Sequence, residues 1–276
     1  MKKLKPFFKR VLKLTFRFLL IVMVLGVSGY FYVYLNQEKF FFQPKVLAKD
    51  YQYQFDTKFE EFDIEVSPDV KLNSLLFKAN DSAKGLILYF HGNAGALHEW
   101  GLRASLYTNN NYDLLMVDYR GYGKSDGFYS DEAQIYNDAQ KVYDYAKTKY
   151  KEKDIIVLGF SLGSGFAAYV ASQNNPKLLI LEAPYYAWNE SISNIAPFPK
   201  WMVNYEIPTY KFLKSVSSPI KIYYGSRDFL IDPEKNAIPL KKLYPKKIDV
   251  TVIDFAGHNG IYITKQYHDI LGELLE

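Results

Sequence analysis

The stretch Ile155-Ile156-Val157-Leu158-Gly159-Phe160-Ser161-Leu162-Gly163-Ser164-Gly165 constrains this chain more than any other. Its four branched apolar residues read as a buried strand. Phe166 to Ser172 reads as a helix packed on that strand. Between them, Gly159-x-Ser161-x-Gly163 has the spacing of a tight strand-to-helix elbow. Such an elbow projects the serine hydroxyl from the top of a sheet. Glycines two residues either side of the serine remove the Cβ atoms that would collide there. The amide of Leu162, at the helix start, is then aimed at any charge developing near the hydroxyl.

The same residues admit a second reading. Gly159, Gly163 and Gly165 after a strand and before a helix resemble a dinucleotide-binding turn, with Glu182 as the acidic ribose ligand. Such a turn normally follows the first strand of its domain. Here the apolar runs 85–90 and 113–117 come first.

From Gly85 onward strands and helices alternate, which predicts a parallel sheet. The strands fall at Leu86–Phe90, Asp113–Val117, Ile155–Leu158, Leu178–Leu181, Ile220–Tyr224 and Val250–Phe255. The helices fall at roughly 96–109, 131–149, 162–173, 233–243 and 259–274. Before them, 62–66 and 72–77 read as an antiparallel edge hairpin turning at Ser67-Pro68-Asp69.

Chemistry-bearing loops sit at the carboxyl ends of these strands, where ligands bind in open α/β sheets. His91-Gly92-Asn93-Ala94-Gly95 follows the first parallel strand and suits a loop that offers a backbone amide. His91 is expected to close that loop by hydrogen bonding. In Asp118 to Gly127, three glycines signal tight turns, braced by Asp118 and Arg120. Gly225-Ser226-Arg227-Asp228 and Ala256-Gly257-His258-Asn259 end the last two strands. Asp232, the nearest competitor of Asp228, precedes Pro233 and reads as a helix N-cap. His98 and His268 fall in helices and read as surface residues. The order Ser161, Asp228, His258 is that of nucleophile, acid and base on such a sheet.

Together HGNAG, DYRGYGKSDG, GFSLGSG, GSRD and GHN resemble the α/β-hydrolase superfamily over roughly residues 60–274. The chain most resembles the membrane-anchored abhydrolase-domain serine hydrolases, which include acyl-thioesterases and monoacylglycerol lipases, with serine aminopeptidase-like relatives nearby. The resemblance implies Ser161 as nucleophile, His258 as base and Asp228 as acid. It implies backbone amides of Asn93 and Leu162 as the oxyanion hole. The segment Glu182-Ala183-Pro184-Tyr185 departs from many members, so substrate class does not transfer. Residues 184–218, with Trp188, Trp201, Phe198, Tyr185, Tyr186 and prolines at 184, 197, 199 and 208, read as a short aromatic cap over the site.

The N-terminus is a separate matter. The formal net charge of +4 divides into +7 on residues 1–17 and −3 on the remainder. A mildly acidic body argues against a nucleic-acid partner. Phe18 to Leu35 carries no charge and, as a helix, spans about 27 Å, close to a bilayer core. Tyr30, Tyr32 and Tyr34 suit an interfacial belt, and the preceding cations place the N-terminus in the cytoplasm. The apolar run continues past Val27-Ser28-Gly29, the one tolerable signal-peptide cleavage site, which predicts an uncleaved anchor.

The expected protein is therefore an α/β fold with a mostly parallel central sheet, helices on both faces, a short cap and an N-terminal transmembrane helix. Its parts are a basic cytoplasmic tail (1–17), a single-pass anchor (18–35), a juxtamembrane connector (36–58) and an α/β-hydrolase domain (59–276) outside the cytoplasm. The expected activity is cleavage of a small-molecule or lipid acyl ester, or a thioester, through an acyl-enzyme. A peptidase using the same three residues is the alternative, ahead of an NAD(P)-binding oxidoreductase or a silent binding module. No cofactor or metal is expected: the chain has no cysteine, and HExxH and the phosphate loop are absent.

Overall fold

The computed structural model describes residues 4–80, 82–195 and 198–276. Lys2 and Lys3 of the basic tail and Pro197 of the insertion lie outside them. The chain divides into two units, residues 1–41 and 42–276.

The first unit is helical. Helix α1 (Leu4–Leu35) contains the whole uncharged run and reaches back through the basic stretch. From Phe7 it is long and apolar enough to cross a membrane. A short helix, Gln37–Phe41, follows. Most of the expected connector, residues 42–58, is grouped with the second unit, which begins at Phe42.

The second unit is built on eight strands: β1 (Phe59–Ser67), β2 (Val70–Phe77), β3 (Gly85–Phe90), β4 (Tyr112–Val117), β5 (Ile155–Phe160), β6 (Leu178–Glu182), β7 (Ile220–Gly225) and β8 (Ile248–Ile253). Their spatial order is β8-β7-β6-β5-β3-β4-β2-β1. β1 pairs antiparallel with β2, and β2 antiparallel with β4. Every other pairing is parallel. β3, β4, β5 and β6 are buried along their whole length. Strands covered on both faces need continuous apolar runs, which is how these read.

Successive side chains point to opposite faces. Ile87, Tyr89, Leu114, Met116, Ile156 and Leu158 join a core with Trp100, Tyr107, Tyr267 and Leu271 from the helices on one side. On the other side lie α2 (Glu132–Lys149) and α3 (Leu162–Gln173). Phe90, Val117, Ile135, Val142 and Phe166 pack there. The side chain of Asp131 caps α2 by accepting from the Gln134 amide at 2.9 Å.

Several elements differ from the expected bounds. The helix at 96–109 is three short pieces, Leu97–Trp100, Gly101–Arg103 and Ala104–Thr108. Gly101 at its break lets the Phe55 ring approach, since a Cβ there would lie 2.5 Å from it. The helix after Pro233 begins only at Ala237 (α5, Ala237–Leu243). The last strand ends at Ile253 rather than Phe255, whose φ of +60° already belongs to a turn. After it a 3-10 stretch, His258–Ile263, gives way to α6 (Lys265–Leu275), where Thr264 accepts from the Tyr267 amide.

Candidate active site

Ser161 follows β5 with φ +50° and ψ −116°, a conformation that costs a non-glycine residue about 1–3 kcal/mol. Neighbours hold it there. Its amide donates to the Glu182 carbonyl at 2.9 Å, and its carbonyl accepts from the Ser164 amide at 2.9 Å. The flanking glycines are forced: a Cβ on Gly159 would lie 2.3 Å from the Gly163 carbonyl oxygen, and one on Gly163 2.1 Å from that of Phe90. Leu162 opens α3, so its amide has no partner within the helix.

Three side chains from three strand ends meet. Asp228, buried after β7, accepts at Oδ1 from the amides of Leu230 (3.0 Å) and Ile231 (2.8 Å). Those bonds fix the carboxylate and leave Oδ2 to accept from His258 Nδ1 at 2.8 Å. His258 Nε2 stands 3.0 Å from Ser161 Oγ. A carboxylate on Nδ1 assigns the proton to that nitrogen and leaves Nε2 as acceptor for the serine hydroxyl. Phe160 backs the imidazole, with ring centroids 5.1 Å apart. The arrangement can deprotonate Ser161 and hold the resulting imidazolium. Asp232 does not take part. It is partly exposed and closes its own turn by accepting from the Glu234 amide at 3.0 Å.

The loop after β3 is fixed from within. His91 is fully buried, and its Nδ1 donates to the Gly92 carbonyl at 2.7 Å. That carbonyl shares its peptide plane with the Asn93 N–H, so the same bond orients the Asn93 amide. His91 stacks on Tyr119 at 4.1 Å, and its Nε2 lies 3.3 Å from Asp118 Oδ1. Asp118 also accepts from the Leu97 amide, and burial pushes its carboxyl up from the ordinary range. Arg120 turns away from the site and grips Asp138 of α2 through two bonds, 2.6 and 2.9 Å long. His268 is exposed, whereas His98 is half-buried beside Tyr51, against the expectation of a surface residue.

Glu182 answers the dinucleotide reading. It is fully buried, and the hydroxyls of Tyr107 (3.3 Å) and Tyr267 donate to it. Burial raises its carboxyl above the usual range. A carboxyl so enclosed is not presented to a ribose.

The insertion carries α4 (Trp188–Ile195) and no strand among its described residues. Its aromatics divide. Tyr185, Trp188 and Phe198 are buried, whereas Trp201 is 79% exposed. Two contacts had no signal at the sequence level. Tyr185 donates to the Leu162 carbonyl at 3.1 Å. Tyr122 donates to the Asn93 carbonyl at 2.8 Å.

The chain is similar to known proteins. The family model described as serine aminopeptidase, S33, matches residues 81–217, which include Asn93 and Ser161 but stop short of Asp228 and His258. The mouse α/β hydrolase domain-containing protein 17C is 26% identical over 225 residues, covering 78% of this chain and 67% of that protein. The human and bovine forms are matched over 65% of their length. Protein bem46 of Schizosaccharomyces pombe is 25% identical over 244 residues, covering 80% of this chain and 78% of that protein. Among solved structures, an esterase from Pyrococcus furiosus superposes with a TM-score of 0.68 at 21% identity, covering 85% of this chain and 98% of that one. That likeness is one of fold.

Proposed function

For a chain that belongs to the α/β-hydrolase superfamily, on its abhydrolase-domain branch, we propose hydrolysis of a carboxylic ester or thioester through an acyl-enzyme on Ser161. The observation that carries this reading is the continuous bond path from Asp228 through His258 to Ser161.

His258 Nε2 takes the hydroxyl proton as Ser161 Oγ attacks the acyl carbonyl. The oxyanion accepts from the amides of Leu162 and Asn93. His258 then gives the proton to the leaving alcohol or thiol as the carbon–oxygen or carbon–sulfur bond breaks. Water repeats the cycle and frees the acid. Asp228 holds the imidazole and balances its charge.

The catalytic unit is anchored by α1, with the N-terminus in the cytoplasm and the body outside it. The length of the apolar helix and the cations before Phe18 support this. A C-terminal reporter active only outside the cytoplasm should work, and cytoplasmic activity would reverse the orientation.

A peptidase reading stands second, favoured by the description of the matching family. Side-by-side kcat/KM on p-nitrophenyl esters, acyl thioesters and aminoacyl p-nitroanilides separates the two. Esters or thioesters should be preferred. Anilides cleaved faster than any ester would hand the site to the peptidase.

A further inference from the structure

The first residues of the second unit, Phe42 to Leu47, make contacts that a spacer does not need. Phe42 is buried, its ring against Tyr129 at 5.7 Å and Tyr205 at 5.1 Å. The next two residues pair in parallel with the loop after β3, Gln43 with Ala94 and Pro44 with Gly95. The Lys45 amide donates to the Gly95 carbonyl at 3.1 Å. The loop after β4 is joined as well: the Gly123 amide donates to the Lys45 carbonyl at 2.9 Å, and the Leu47 amide to the Gly123 carbonyl at 2.8 Å. The Tyr122 hydroxyl donates to the Asn93 carbonyl at 2.8 Å and lies 3.1 Å from Asn93 Oδ1.

We propose that Phe42–Leu47 is a positioning segment for acyl transfer, setting the loop that carries the Asn93 amide. The inference rests on the reading of Ser161 given above. An oxyanion donor lowers a barrier only if it is in place before the charge forms. The loop from Gly92 to Gly95 contains two glycines, so its main chain depends on its bonding partners to hold one conformation. His91 holds the peptide before Asn93 and Tyr122 the carbonyl after it. The segment, together with Trp100, whose Nε1 donates to the Ala94 carbonyl at 2.9 Å, fixes what remains, Ala94 and Gly95, and it also bonds Gly123, the residue after Tyr122. It holds by its main chain. Its side-chain link, Lys45 to Glu99 at 3.3 Å, joins two groups that are more than half exposed and contributes little. Losing the Lys45 amide and losing the ion pair therefore have different consequences. The residues that continue the chain from its apolar N-terminal helix are also those that complete the site.

The test uses the full chain in detergent micelles and compares Lys45→Pro, Tyr122→Phe and Glu99→Ala on p-nitrophenyl butyrate. A trifluoromethyl ketone reports the oxyanion donors, because it binds Ser161 as a tetrahedral adduct. Glu99→Ala should match wild type. Lys45→Pro and Tyr122→Phe should each lose roughly tenfold or more in kcat with KM little changed. Ketone affinity should fall in step with kcat/KM. Thermal midpoints should stay close to wild type, which a merely structural role would not allow. Ser161→Ala in the same assay separates the two layers. If it stays active, the site reading fails, and the positioning role fails with it. If it is inactive while Lys45→Pro and Tyr122→Phe keep wild-type kcat, the positioning role alone is overturned. Should Lys45→Pro not fold, Tyr122→Phe decides between the same outcomes.

Discussion

The hydroxyl of Tyr185 donates to the main-chain carbonyl of Leu162 at 3.1 Å, across the first turn of the helix that begins beside Ser161. Gly165 makes room for it: a Cβ there would lie 2.0 Å from that hydroxyl and 2.6 Å from Ile207 Cγ2. Gly165→Ala should therefore cost about 1–3 kcal/mol of stability by overpacking. Adding Tyr185→Phe removes the contact with the hydroxyl but leaves those with the ring carbon Cζ at 2.9 Å and with Ile207, so the double variant should recover part of the loss. Thermal unfolding of the two singles and the double measures this coupling. Strict additivity would mean that the two residues do not meet.

Asp228 and Asp232 differ in what they face. Asp228→Asn should lower kcat by about 10³–10⁴, because the imidazole loses the partner that fixes its tautomer. Asp232→Asn keeps an acceptor for the Glu234 amide and loses only a long, exposed ion pair with Lys235, so it should stay close to wild type. The reverse result in a paired kinetic comparison would make Asp232 the acid.

Trp188 and Trp201 should behave unlike one another. Trp188 is 4% exposed and packs on Tyr185 at 5.3 Å, whereas Trp201 is 79% exposed. Trp188→Ala should cost about 3–5 kcal/mol of stability, as truncated core aromatics do. Trp201→Ala should fold normally and flatten the dependence of kcat/KM on acyl chain length. Each methylene held by an aromatic cap adds about 0.8 kcal/mol, or roughly fourfold in rate. Chain-length series on p-nitrophenyl esters check this, and a wild-type profile that peaks at acetate would remove the acyl-chain reading.

Glu182 gives stability a pH dependence of definite sign. Burial raises its carboxyl above the ordinary value of 4.5, so over the window above that value the folded state binds more protons than the unfolded state. Stability from this group then falls as pH rises, since the slope follows the proton difference. Asp118 and Asp138 are raised by burial and act in the same direction. Glu182→Gln keeps an acceptor for Tyr107 and Tyr267 but does not titrate. It should gain on wild type as pH increases from 4.5 to neutral. Denaturant unfolding at several pH values reads the difference, and parallel curves would contradict it.

The buried parallel strands and the strand-end loops were legible because their constraints are local. A run such as Leu86–Phe90 must be covered on both sides, and Gly159 and Gly163 admit no side chain. Order along the chain singled out Ser161, Asp228 and His258 as candidates, but not the two amides that hold Asp228, which come from the turn itself. The partners of Phe42, Tyr129 and Tyr205, could not be read from the connector because they lie far away in sequence. The cap aromatics looked alike, since composition does not separate a core tryptophan from a surface one. Helix bounds after Pro233 and Thr264 shifted because turns there satisfy the main chain before a helix can.

One measurement bears most directly on acyl transfer at Ser161. The full chain is treated with a fluorophosphonate probe, and the modified residue is mapped by peptide mass spectrometry in wild type and Ser161→Ala. The predicted result is one adduct, on Ser161, absent from the variant, with turnover of p-nitrophenyl butyrate reduced by roughly 10⁵ or more. Labelling and turnover that persist in Ser161→Ala would contradict it.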